Sequence, residues 1–109
     1  MEVLSLAKKA LDGLTESMFY VLMAFQKKEM CGTDVVEFIE KKTKRRVVMG
    51  PGTLYTILAR FEEEEIIEET AVEGRKRTYQ VTLKGKRLFQ EELYRLKKCV
   101  MDGESEATP

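Results

Sequence analysis

The sequence predicts a mainly α fold carrying one small β-hairpin, and three observations lead there. Apolar residues recur at helical spacing along most of the chain. The period becomes alternating only between Ile66 and Val81, and within that stretch Gly74 followed by Arg75 and Lys76 reads as a turn. With 109 residues, 43% of them hydrophobic, the chain has enough apolar surface for one core and little for a second.

Residues 1–14, MEVLSLAKKALDGL, place Val3, Leu4, Ala7, Ala10, Leu11 and Leu14 at roughly helical spacing and predict an N-terminal helical arm broken by Asp12 and Gly13. Thr15 is positioned to cap the next helix, with Glu16 favourable in its first turn. That helix carries Met18, Phe19, Tyr20, Val21, Leu22, Met23, Ala24 and Phe25 in unbroken succession. A helix apolar all round needs cover on both sides, from the N-terminal arm or from a second copy of the chain, and so small a chain favours the second copy. Beyond Cys31 and Gly32, Thr33 or Asp34 starts another helix, with Val35, Phe38 and Ile39 on one face. Val47 and Val48 offer a scrap of strand in the link that follows.

Pro51 then sits at a first helical position, where its missing N–H costs nothing and its φ is already helical. Leu54, Ile57, Leu58 and Phe61 form the core face, so Thr53, Thr56, Arg60 and Glu63 point the opposite way. Ile66 to Thr70 and Arg77 to Val81 are the strands of the hairpin, joined by a turn over residues 72–76. Thr82 caps a long final helix over 83–101, in which Phe89, Leu93, Leu96 and Val100 make a seam suited to dimerisation. Residues 102–109, with no apolar anchor, are expected to be a disordered tail.

Charge is balanced overall, 19 basic against 19 acidic side chains, and polarised locally. Lys41, Lys42, Lys44, Arg45 and Arg46 cluster in the link, and Arg75, Lys76 and Arg77 at the hairpin. Between them lie Glu62 to Glu65 with Glu68 and Glu69. There is no histidine, hence neither the commonest general base nor the commonest metal ligand; the carboxylates sit in solvated runs, and no cofactor or metal site is expected. Cys31 and Cys99 are single thiols, read as packing residues of a reduced cytoplasmic protein, with redox sensing the alternative. No membrane span and no signal peptide is visible.

Three helices, a hairpin and a long helix describe a winged helix-turn-helix over residues 15–82 with an appended dimerisation helix. In that plan the third helix enters the major groove of double-stranded DNA and the hairpin lies along the backbone. A recognition helix needs a slim polar start to approach base edges, and the glycines and threonines of GPGT with Thr56 provide one. The run of acids belongs at its far end.

At these residues the chain resembles the PadR family of bacterial transcriptional regulators. The likeness rests on GPGTLYTILARFEEEEII and GRKRTYQVTLKGKRL and extends from about Leu14 to Leu96. Three positions depart from the family pattern: Thr33 stands where a tyrosine is frequent, Thr56 where proline is common, and Glu65 where a glycine usually ends the recognition helix. The resemblance implies a homodimer that represses from a roughly palindromic operator and in some members responds to a small aromatic or drug-like effector. It also implies DNA contacts from Thr53, Tyr55 and Thr56, and wing contacts from Arg75, Lys76 and Arg77.

Arg60 joins them from the outer face of the same helix, whereas Tyr55, on the flank of the wheel, is either a phosphate contact or a core-edge residue. The expected dimer surface is Met18, Phe19, Tyr20 and Met23 with the seam Phe89, Leu93, Leu96 and Val100. Its methionines and aromatics are also the expected place for an effector. The competing reading is a winged-helix adaptor that binds another protein instead of DNA, favoured by the neutral net charge and the glutamates. An enzyme is the weakest reading, for want of a convergent acid, base or nucleophile.

Overall fold

The computed structural model describes residues 13–107. In order the elements are α1 (Glu16–Lys27), β1 (Met30–Cys31), α2 (Gly32–Thr43), α3 (Pro51–Glu63), β2 (Ile67–Glu73), β3 (Lys76–Val81) and α4 (Leu83–Glu106). Most of the expected N-terminal arm, residues 1–12, lies outside the described residues; Gly13 and Leu14 are not helical, and Leu14 packs against the core.

Thr15 caps α1 as its position predicts, its hydroxyl accepting from the N–H of Met18 at 3.1 Å. One side of α1, made of Val21, Leu22, Ala24 and Phe25, is fully in the core. The α2 face adds Val35 and Ile39, α3 adds Leu54, Ile57, Leu58 and Phe61, and Ile66, Ile67 and Tyr79 close the cluster from the sheet side. Burying eight large side chains almost completely, at roughly 1.5–3 kcal/mol each, is the main force holding the helices to the sheet.

The sheet has three antiparallel strands in the order β1-β3-β2, and β1 lies where the sequence predicts no strand. Met30 pairs with Tyr79 and Cys31 with Thr78, so the two-residue strand before α2 ties that helix directly to the hairpin. Val47 and Val48 form no strand. The link there is held instead by the Thr43 hydroxyl, which donates to the carbonyl of Ile39 at 2.8 Å and accepts from the N–H of Val47 at 3.1 Å.

The hairpin is also longer than expected. Pairing continues through Val72 with Arg77 to Glu73 with Lys76, leaving only Gly74 and Arg75 as the turn. Gly74, at φ +64°, adopts a left-handed conformation that costs glycine nothing, so two residues suffice. A bulge at Thr70 shifts the register between Glu69 and Ala71. There the Thr70 hydroxyl donates to the Glu29 carboxylate at 2.8 Å.

Two boundaries correct the sequence reading. The helix α2 starts at Gly32, not at Thr33 or Asp34, because Asp34 turns back to accept from the N–H of Cys31 at 3.1 Å and so fixes Cys31 as the cap. The final helix continues to Glu106, so residues 102–106 are helical, where the composition predicts a disordered tail from 102. Once a helix is nucleated each further residue costs little, and the Ser105 hydroxyl supports this turn by donating to the carbonyl of Asp102. At its other end α4 is capped by Thr82, and Gly85 lies so close to the carbonyl oxygen of Ile66 and the side chain of Val81 that a Cβ there would clash.

Candidate nucleic-acid interface

Gly50 caps α3 and Pro51 opens it, and the first turn carries no acid. The positive end of its dipole is therefore met by neither a side-chain cap bond nor a first-turn carboxylate. Thr53, Tyr55 and Thr56 are exposed and Arg60 is half-buried, while Leu54, Ile57, Leu58 and Phe61 hold the helix to the core. Tyr55 is 60% exposed, which settles its place outside the core. Its ring lies over the start of α2: a Cβ on Gly32 would meet the Leu54 side chain at 3.3 Å and the Tyr55 ring at 3.7 Å. A side chain at 32 would thus need the end of Leu54 to give by a few tenths of an ångström.

The wing presents Arg75 in the turn and Lys76 and Arg77 at the start of β3, all exposed. Arg77 reaches across to Glu69 at 3.6 Å. Tyr79, on the inner side of the same strand, has its phenol pushed above its ordinary range by burial, a shift that hydrogen bonding with Arg77 opposes.

A cleft of about 640 Å³ brings these elements together. Tyr55, Leu58, Ala59 and Glu62 form its α3 wall, Cys31, Gly32 and Thr33 its end, and Arg75, Lys76, Arg77 and Tyr79 its wing side. Of the expected DNA residues, Tyr55 and the three wing cations share this cleft. Thr56 and Arg60 lie on an adjoining, more open groove with Ala59 and Glu63, and Thr53 lies in neither. Glu62, expected at the far end with the other acids, lines both grooves and so sits nearer the cations than its place in the sequence suggests.

Sequence reasoning missed the part played by the end of the cleft. The thiol of Cys31 donates to the Asp34 carboxylate at 3.2 Å and is also 3.2 Å from the Thr33 hydroxyl. Both hydrogen bonds from Cys31 hold the Asp34 carboxyl below its ordinary range, and Lys76 and Lys28 reinforce this. The signal is present in CGTD, an acid three residues after a capping position.

Two cations of the link, Arg45 and Arg46, have ionic partners within the chain. Arg45 pairs with Glu40 at 2.7 Å, and Arg46 bonds Glu16 at 3.3 Å and the hydroxyl of Tyr20 at 2.8 Å. Arg46 therefore fastens the end of the α2 turn to α1.

The residues expected at the dimer surface lie on α1 and α4. Phe19 stacks on Phe89 with ring centroids 5.3 Å apart, so part of the cover that α1 needs comes from its own chain. Met18, Tyr20, Met23, Leu93 and Leu96 are half-buried and Val100 is exposed. In the middle of the seam sits Glu92, 7% exposed and paired with Arg95 at 2.5 Å, a polar interruption that apolar spacing did not reveal.

Among the described residues no helix is long and apolar enough to cross a membrane, and no three His, Cys, Asp or Glu side chains gather as metal ligands. Comparison with curated protein sequences returns no match. Solved structures do match. A transcriptional regulator from Clostridium thermocellum is 26% identical, with a TM-score of 0.66 over 79% of this chain and 89% of that one. A PadR-like transcription factor from Bacteroides fragilis is 20% identical, with a TM-score of 0.71 over 98% of this chain and 100% of that one. Bacillus subtilis PadR, solved in complex with operator DNA, is 19% identical, with a TM-score of 0.64 over 72% of this chain and 47% of that one. The profile of the transcriptional regulator PadR-like family matches residues 21–91, well over half of the chain. The winged helix with its long terminal helix, and this match across it, make the chain a member of the PadR-like family of transcriptional regulators.

Proposed function

We propose that this regulator is a cytoplasmic homodimer that binds a palindromic operator and represses transcription from it. The observation that carries the reading is the shared cleft, which sets Tyr55 of α3 opposite Arg75, Lys76 and Arg77 of the wing. A duplex whose major groove receives α3 passes its backbone between these two elements, where the cations and the tyrosine hydroxyl meet phosphate. Thr53, Thr56 and Arg60, on the outer side of α3, then face base edges. That Bacillus subtilis PadR, similar in fold, was solved in complex with operator DNA supports DNA as the partner.

Dimerisation is supported by α4, which leaves Tyr94, Val100 and Met101 well exposed, and by the half-buried Met18, Met23, Leu93 and Leu96. A second copy covers these apolar groups. Imperfect packing around Met18, Phe19, Tyr20 and Met23 leaves room for a small aromatic or drug-like effector between the subunits. Such an effector lowers DNA affinity only through a difference in its own affinity for the two dimer arrangements.

Selection of bound duplexes from a random pool by the purified protein tests the reading. Enrichment of a palindrome supports it. Failure to retain any duplex at low salt favours the adaptor reading, in which Glu62 and its neighbours keep phosphate away from the cleft.

A further inference from the structure

We infer that the cleft between α3 and the wing is itself a binding site for a hydrophobic organic anion, held by the same cations that the proposed DNA contact uses. Its volume of about 640 Å³ falls inside the range of roughly 300–1,000 Å³ typical of small-ligand pockets. Its walls differ in kind. Leu58, Ala59 and the inner face of Tyr79 give an apolar floor, and Tyr55 offers an aromatic flank. Arg75, Lys76 and Arg77 crowd the wing side against one lining acid, Glu62.

A bare phosphate would use the rim and leave the apolar floor wet. A neutral hydrocarbon would use the floor and leave the cations unmet. A ring system bearing one carboxylate or sulfonate satisfies both, with its rings on Leu58 and Ala59 and its charge toward Arg75 and Lys76. Arg77, already shared with Glu69, is the least available of the three. This site lies on the recognition helix, apart from the α1 and α4 surface proposed for dimerisation. A ligand there excludes DNA by direct occupation, and no change in dimer geometry is needed. That consequence rests on the proposed DNA reading, whereas the site itself does not.

The probe is 8-anilinonaphthalene-1-sulfonate, whose fluorescence rises on entering an apolar site, titrated into the full chain. Ala59 is exposed, so Ala59→Trp fills the cleft without entering the core. It is expected to weaken the probe at least about tenfold while keeping the wild-type circular dichroism and melting curve. The double change Arg75→Glu and Lys76→Glu is expected to weaken it by about tenfold as well, since two attractive charges become repulsive. A folded Ala59→Trp protein that binds the probe as the wild type does overturns the site.

The second arm adds a labelled duplex whose own binding is followed by anisotropy. Expected is a rise in the apparent Kd of the probe that is linear in free duplex concentration. A duplex that binds yet leaves the probe's affinity unchanged overturns the shared use of the cations. A duplex that does not bind overturns the DNA reading alone, and the cleft then stands or falls on the Ala59→Trp result.

Discussion

Glu65 holds a φ of +62° at the end of α3, a conformation that L side chains adopt only at a cost of roughly 1–2 kcal/mol. The turn in which the resemblance leads one to expect a glycine is thus made here by a glutamate. Its carbonyl is fixed by the Thr82 hydroxyl at 2.7 Å, which holds the strained residue in place. Glu65→Gly is expected to stabilise the protein by about 0.5–1 kcal/mol, the relieved strain outweighing the extra freedom of the unfolded chain. A urea midpoint that fails to rise would show that the turn is not under strain.

Asp34 gives the residue scale a dependence on pH. Hydrogen bonds from Cys31 depress its carboxyl in the folded state below the ordinary 3.8, so the unfolded chain takes up the proton first as pH falls. The stabilisation is complete above that ordinary value and is lost on descending through it toward the folded one. Urea midpoints measured from pH 6 to pH 3 should therefore fall less steeply for Asp34→Asn than for the wild type. Parallel curves would remove this carboxylate from the acid response. At this scale the sequence is readable where a single residue type has a single job, as with Thr15 and Thr82. It is not readable at Cys31, because cysteine is no usual cap and its role depends on a carboxylate three residues away.

At the scale of elements, the four described helices are legible from apolar spacing and their caps. The wing is legible only in outline. Its third strand is two residues long, too short for any alternation to show, and it exists because β3 offers an unpaired edge beside the end of α1. The pairing of residues 71–73 is likewise hidden, since Ala71, Val72 and Glu73 are all exposed and the bulge at Thr70 breaks the alternation. Of the candidate site, spacing supplies the outer face of α3 and the cations of the wing. It cannot supply the cleft, which depends on how far apart the two stand.

The wing and the helix are predicted to fail differently. Replacing Arg75, Lys76 and Arg77 together by alanine should lower the slope of log affinity against log salt by about 0.9 for each phosphate that each subunit then leaves unneutralised. Arg77, shared with Glu69, is expected to contribute least. Thr56→Ala or Arg60→Ala should instead cost about 1–3 kcal/mol on a selected operator and much less on random duplex. Equal losses on both kinds of DNA would take these two residues out of base readout, and an unchanged salt slope would make the wing tip a solvated turn.

For the molecule as a whole, the proposed dimer is tested through Leu93 and Leu96, which are half-buried on α4. Leu93→Glu with Leu96→Glu places two charges in that surface beside Glu92, which is buried and whose carboxylate is already paired with Arg95. Sedimentation at micromolar concentration should show the wild type as a dimer and the double variant as monomer or aggregate. A stable wild-type monomer would refute the proposed assembly. This surface is only half legible in the sequence, because Phe89 satisfies part of it within its own chain by stacking on Phe19.

That stack has a mechanical meaning. It joins α1, which Arg46 clasps to the turn before α3, to a helix of 24 residues, about 36 Å long at 1.5 Å per residue. In the proposed dimer α4 is then a lever whose short end grips the reading head. A tilt of about 5° at one end of such a lever moves the other by about 3 Å, close to the spacing of one base pair along a strand. In the proposed dimer, rotations of this size would carry the two reading heads out of step with an operator's half-sites, and the length of α4 sets how small a rotation is enough.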